Sequence, residues 1–180
     1  DRFYGYLCQR QAHNYYPTYL YDDARRVALD NPDFPAHQPL PAGADPADPR
    51  SYARFSGRQY APDLQWERAR AFVRENRDRP FFLFVATTVP HLALQVPEDS
   101  LAEYRGAFPE TPYRGDRQYL PTTTPRAAYA AMVTRMDREV GRLLDLLREL
   151  RLDERTIVVF ASDNGATFDV GGADSAFFGS

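Results

Sequence analysis

The sequence contains no lysine; all 22 of its basic residues are arginine, a bias that GC-rich coding produces. A mechanism that needs a lysine amine therefore cannot be completed by these residues alone. There is a single cysteine, Cys8, which excludes an internal disulfide and leaves the redox compartment open. Basic residues are not in excess. The 22 arginines face 25 acidic side chains for a net charge of −3, so the basic field of a nucleic-acid binder is missing. No apolar run reaches the roughly 18 residues of a membrane span. The opening Asp1-Arg2-Phe3-Tyr4 does not have the basic-then-apolar form of a signal peptide. There is no initiating methionine, and the chain starts in mid-element and stops just after a glycine, which reads as an internal piece of a longer domain. What is present suits a packed core: 180 residues, 43% hydrophobic and 14% aromatic, the size of one domain or a large part of one.

Tyrosine and phenylalanine crowd residues 1–21, and short strands are expected at about 3–7 and 18–21. Six prolines between 30 and 50 (Pro32, Pro35, Pro39, Pro41, Pro46 and Pro49) remove donors and block helix, predicting a surface loop. Asp63 to Arg77 has helical spacing of Leu64, Trp66, Ala69, Phe72 and Val73. Pro80 breaks that pattern, and Phe81 to Ala86 is a continuous apolar run, expected as a buried strand. A short helix is expected near 98–105. Thr122-Thr123-Thr124-Pro125 offers an N-cap and a first-turn proline to a long helix ending near Leu150. Its apolar stripe includes Met132, Met136, Leu143 and Leu147, and core packing accounts for it. Arg135/Glu139 and Asp145/Arg148 are spaced to pair on its solvent side. Thr156 to Ala161 is a second buried-strand candidate. Apolar strands joined by a helical crossover indicate a parallel sheet with helices on its faces, in which ligands bind beyond the carboxyl ends of the strands.

Both strand candidates end in polar groups at that edge. Asp163 and Asn164 offer a carboxylate and an amide oxygen, a donor pair suited to a hard divalent cation. The same Ser162-Asp163-Asn164-Gly165 run is also a common tight turn, and both readings stand at this level. His91 follows Pro90 at the end of the other strand. It can face an anionic substrate or protonate a leaving group, or simply bond a nearby carbonyl. His13 lies beside Tyr15, Tyr16 and Pro17, where it can line a sugar or aryl pocket; core aromatics beside a surface histidine explain it as well. His37, in the proline-rich stretch, is expected to be solvated. Cys8 is expected to be a small buried hydrophobe rather than a nucleophile.

Taken together, Phe84-Val85-Ala86-Thr87-Thr88-Val89-Pro90-His91, Leu94-Gln95-Val96-Pro97, Met136-Asp137 within a long helix, and Phe160-Ala161-Ser162-Asp163-Asn164-Gly165 resemble the sulfatase family. The branch most similar is that of bacterial arylsulfatase A and N-acetylgalactosamine-6-sulfatase. Tyr4-Gly5-Tyr6-Leu7, Ala12 to Pro17 and Asp169 to Ser175 extend the likeness to nearly the whole chain. The resemblance implies an alkaline-phosphatase-like α/β/α sandwich with a mostly parallel sheet, of which residues 1–180 would be a partial catalytic domain. It implies hydrolysis of a sulfate ester, on a small molecule or a glycan, by a formylglycine nucleophile and a calcium ion (Ca2+). Asp163 and Asn164 match two calcium ligands, and His91 matches a histidine that contacts the sulfate or its leaving oxygen. Export to the periplasm or the extracellular space is also implied; oligomeric state is not. Departures limit the match. Cys8 is followed by Gln9-Arg10-Gln11-Ala12, not by the Cys/Ser-x-Pro-x-Arg pattern that is modified to formylglycine. The family's aspartate pair is missing too, so the chain is expected to be inactive by itself. Two alternatives remain: a phosphodiesterase or phosphonate hydrolase on the same scaffold, and a glycan-binding relative without catalysis. The former often uses two metals and extra histidines; three histidines with no His-x-x-x-His pair speak against it.

Overall fold

The computed structural model describes residues 1–165. Strands β1 (Tyr4–Gly5), β2 (Tyr19–Asp22) and β3 (Arg25–Ala28) form one antiparallel sheet in that order. Tyr4 lies opposite Asp22, and Leu20 opposite Val27. Asp23 turns β2 into β3 with a φ of 53°, a left-handed conformation that aspartate tolerates better than most residues. Its backbone and carboxylate both bond Phe3, at 2.8 and 2.7 Å, which ties the turn to the start of β1.

A short helix, α1 (Gln9–Ala12), was not expected, whereas α2 (Ala61–Asn76), α3 (Glu98–Leu101) and α4 (Pro125–Glu149) follow the expected pattern closely. Asp63 at the start of α2 holds Arg135 of α4, Arg70 holds Glu139, and Val73 packs on Leu146 and Leu147. Partners advance together along both helices, so α2 and α4 run parallel. Asp145 pairs with Arg148 as the spacing predicts. Arg135 and Glu139 do not pair with each other; each reaches across to α2 instead, because a bidentate or buried partner outweighs an exposed one on the same helix.

The N-terminus of α4 also departs from expectation. Thr124 takes the cap position without a side-chain hydrogen bond, and its hydroxyl is buried without a partner. Glu110, 16 residues before Arg126, accepts instead from the amides of Arg126 and Ala127 at 3.1 and 2.8 Å. A carboxylate there satisfies two orphan donors and meets the positive end of the helix dipole.

One core gathers Tyr15, Tyr16, Phe55, Tyr60, Leu92, Leu94, Leu120 and Met132; a second joins Val73, Leu146, Leu147 and Leu152. The proline-rich stretch is more than a surface loop, since it sends Phe34 and Leu40 into the first core. Cys8 is exposed rather than buried, because it sits in extended backbone just ahead of the short α1.

The two expected buried strands are the main correction. Residues 81–86 and 156–161 carry no strand pairing among the described residues, and the sheet that does form is antiparallel. Phe81 and Leu83 pack on the second core, while Phe82 and Phe84 are 85% and 77% exposed and Ile157 93%. The first segment therefore keeps the period of two of a strand with one face covered by α2 and α4. It lacks the neighbouring backbone that a ladder requires. No helix among the described residues is long and apolar enough to cross a membrane.

Candidate functional site

The loop from Thr87 to Pro97 is held from beneath by two tyrosines and a glutamine. Tyr15 is fully buried, and the single proton of its phenol is shared between the carbonyls of Thr88 and His91, both 2.8 Å away. The amide of Tyr15 donates to Gln95 Oε1 at 2.9 Å, Gln95 Nε2 donates to Phe55 O at 2.6 Å, and the Tyr60 phenol donates to Gln95 O at 3.0 Å. Burial raises the pKa of both phenols, so they remain donors. The peptides Val89–Pro90 and Leu92–Ala93 on either side of His91 are cis. Tyr15→Phe is expected to cost about 1–2 kcal/mol, because two carbonyls lose their donor. Urea unfolding measures this, and a variant as stable as its parent would remove Tyr15 as the anchor of the loop.

His91 stands on this platform with its ring exposed. Its Nδ1 contacts the Leu92 carbonyl, which can only accept, so Nδ1 carries the proton and Nε2 is left for other partners. His13 stacks on the His91 ring with centroids 5.0 Å apart and planes 6° from parallel. The His37 ring lies edge to edge with His13 and nearly in its plane, with centroids 5.0 Å apart and planes 15° from parallel, and His13 Nδ1 lies 2.7 Å from His37 Nε2. Tyr119 meets all three rings edge-on at 5.2, 5.4 and 5.6 Å. Every histidine of the chain is in this cluster. Burial, and then the neighbouring His91 and His37, lower the pKa of His13; burial and Arg10 lower that of His37. The fold thus favours their neutral forms. This contribution to stability is complete above the ordinary histidine pKa and is lost as pH falls through the lowered values.

His37 was expected in solvent, and Tyr119 was not singled out at all. Neither carries a local signal, because both arrive by loop docking. Leu40 N donates to Arg114 O at 2.9 Å, and Tyr113 and Thr122 exchange backbone bonds at 2.8 and 3.0 Å. Gly115, with φ 77°, passes so close that an added Cβ would lie 2.7 Å from Gln38 O and 2.8 Å from Pro39 Cα. Only glycine allows that approach, and it brings the Tyr119 loop against the segment bearing His37.

Asp163 and Asn164 follow the extended 156–161 segment and are exposed. Ser162 Oγ donates to Asn164 O at 2.6 Å, and Asn164 Nδ2 donates to Gly165 O at 2.7 Å. The amide oxygen of Asn164 and the Asp163 carboxylate are thereby left as acceptors, a donor set that fits part of a hard-cation shell. Two such residues cannot fill it, and no group of three or more His, Cys, Asp and Glu side chains among the described residues is arranged to hold a metal ion. No hydrogen bond, ion pair or ring contact joins Asp163 or Asn164 to the histidine cluster among the described residues. The expected Asp169 to Ser175 match lies outside the described residues.

A family model described as Sulfatase matches residues 4–176. The chain is 26% identical over 173 residues to an uncharacterized sulfatase of Schizosaccharomyces pombe, covering 76% of this chain and 31% of that protein. It is 29% identical over 115 residues to the N-acetylgalactosamine-6-O-sulfatase of Bacteroides thetaiotaomicron, covering 64% and 19%. Over 168 residues it is 26% identical to an arylsulfatase of Klebsiella aerogenes, covering 71% and 36%. The chain therefore spans between 19% and 36% of the length of these relatives.

Proposed function

We propose, because this chain belongs to the sulfatase family, that it supplies part of the active site of a hydrolase of sulfuric esters carried on a small molecule or a glycan. The observation that carries this reading is the family match across residues 4–176, which takes in both the His91 loop and the Asp163-Asn164 turn. The names of the relatives, among them an arylsulfatase and an N-acetylgalactosamine-6-O-sulfatase, support a sulfate ester as substrate. The reading takes segments 81–86 and 156–161, unpaired among the described residues, as strands that further backbone would complete into the parallel sheet of an α/β/α sandwich, with α2 and α4 on one face. The one-sided packing of Phe81 and Leu83 supports it.

Cleavage of a sulfate ester moves negative charge onto the leaving oxygen and the sulfate oxygens. His91, protonated at Nε2 and oriented by its Nδ1–H bond to Leu92 O, would hand its proton to the leaving oxygen. Asp163 and Asn164 would be two oxygen ligands of a calcium ion, with further ligands needed to complete its six to eight. Bound there, calcium supplies fixed positive charge to the sulfate oxygens. The reading places the formylglycine nucleophile outside these 180 residues, since no Cys/Ser-x-Pro-x-Arg run occurs in them. Parallel assays of the full-length protein that carries this chain, with 4-nitrophenyl sulfate and bis(4-nitrophenyl) phosphate, test the proposal. Faster turnover of the sulfate ester is expected. The opposite order would move the protein to the phosphodiesterase side of the superfamily.

A further inference from the structure

We propose that His13, His37 and Tyr119 form, beside His91, a subsite for a second anionic group of the substrate, so that ligands with two neighbouring negative charges bind better than ligands with one. The proposal rests on the reading of His91 as the residue that meets the reacting sulfate. It extends that reading to residues outside the reacting centre.

Four segments far apart in sequence build this cluster: the end of α1, the proline-rich loop, the His91 loop and the loop before α4. The rings of His13, His37 and Tyr119 are only half-buried, so they form a wall open to solvent rather than core. The His13–His37 bond uses one nitrogen of each ring. Among the described residues His13 Nε2, His37 Nδ1 and His91 Nε2 have no hydrogen-bond partner, which leaves three uncommitted ring nitrogens in one cluster. The charged and titratable groups acting on His13 and His37 are Arg10 from α1 and the neighbouring histidines, with Tyr119 edge-on to the rings. No carboxylate is among them.

Such a wall repels its own protons. Imidazolium rings 5.0 Å apart oppose one another, and partial burial adds to the penalty. An anion lying across the ring edges reverses the balance. It turns mutual repulsion into shared attraction, and each ring that takes up a proton becomes a charge-assisted donor. The bound state then holds more protons than the free one, so affinity rises as pH falls through the histidine range. Arg10 makes no ion pair among the described residues and adds a permanent positive charge beside His37. The ring of Tyr119 offers an apolar surface for the sugar that carries the second group.

Three disaccharides separate the contributions: one bearing a single sulfate, one bearing two, and one bearing a sulfate and a uronic carboxylate. Calorimetric Kd values are measured at about pH 5.5 and about pH 7.5, on either side of the histidine range, for the parent and for His37→Gln. Glutamine keeps a hydrogen-bond partner for His13 Nδ1 but takes no proton. For the parent at the lower pH, the doubly charged ligands are expected to bind about tenfold more tightly than the monosulfate. Which of the two gains more identifies the second group as sulfate or carboxylate. The preference should shrink below about twofold at the higher pH and in His37→Gln. Equal affinities at the lower pH, or a preference that His37→Gln leaves intact, would overturn the subsite. In case His37→Gln does not fold, proton NMR of the parent gives an independent check. Inorganic sulfate should raise the titration midpoints of His13 and His37, and unmoved midpoints would overturn the proposal equally. The two readings fail separately. Turnover of aryl sulfate without the preference removes the subsite alone, whereas the preference without turnover removes the proposed hydrolase alone.

Discussion

Asp163→Ala in the full-length protein is expected to lower its kcat/KM toward an aryl sulfate by at least about a hundredfold, and to lower its calcium content in parallel. The size follows from the charge. Asp163 is the anionic member of the pair, and a hard cation loses more from a missing carboxylate than from a missing neutral oxygen. Asn164→Ala should therefore show the same two effects more weakly. Stability should hardly change, because Asp163 is exposed and its removal strands no buried group. Activity and metal content together make the test specific: metal analysis and steady-state kinetics on the same preparation are compared with the parent. Full activity with normal calcium would take Asp163 out of the metal site and return the Ser162 to Gly165 run to the ordinary turn that its composition also allows.

The largest effect on stability is expected at Glu139, a residue far from any chemistry. Its side chain is only 5% exposed, and it accepts from Arg70 on α2 and from Arg142 one turn along α4. Arg142 is mostly exposed, but Arg70 is only 16% so. Glu139→Ala would leave the Arg70 guanidinium between the two helices with no counter-charge, at a cost of about 3–5 kcal/mol. The double variant Arg70→Met/Glu139→Leu removes both charges and fills the space, and it should recover most of the loss. Urea unfolding of the parent, the single and the double variants decides the matter. A single-variant loss within about 1 kcal/mol would class the pair with ordinary surface ion pairs.

Arg135 shows how far sequence spacing reaches. Its position one turn before Glu139 suggested a pair along α4, and the existence of that helix was legible from its apolar stripe. Its real partners are Asp63, with bonds of 2.8 and 2.6 Å, and Asp99 at 2.9 Å. Glu110 took the capping role that three threonines advertised. In each case the helix was read correctly and the group that satisfies it was not, because that group comes from another element. The same holds at the site. His91 was singled out from its place at the end of an apolar run, and His13 from its aromatic neighbours. His37 lies among prolines with no periodic pattern around it, and Tyr119 in a loop of unremarkable composition. Their meeting depends on Gly115 letting two backbones touch.

The sequence by itself determined the helices α2 and α4 and the short strands near Tyr4 and Tyr19, and it singled out His91, Asp163 and Asn164 as candidates. Periodicity, caps and turn residues act over a few positions, and such signals survive in a linear string. Only the tertiary structure decided that the two apolar runs lie extended without a ladder among the described residues. It alone decided that Tyr15 carries the His91 loop and that all three histidines meet in one cluster. Those outcomes depend on backbone partners and ring contacts between residues far apart in the chain, where no local preference specifies which groups will meet.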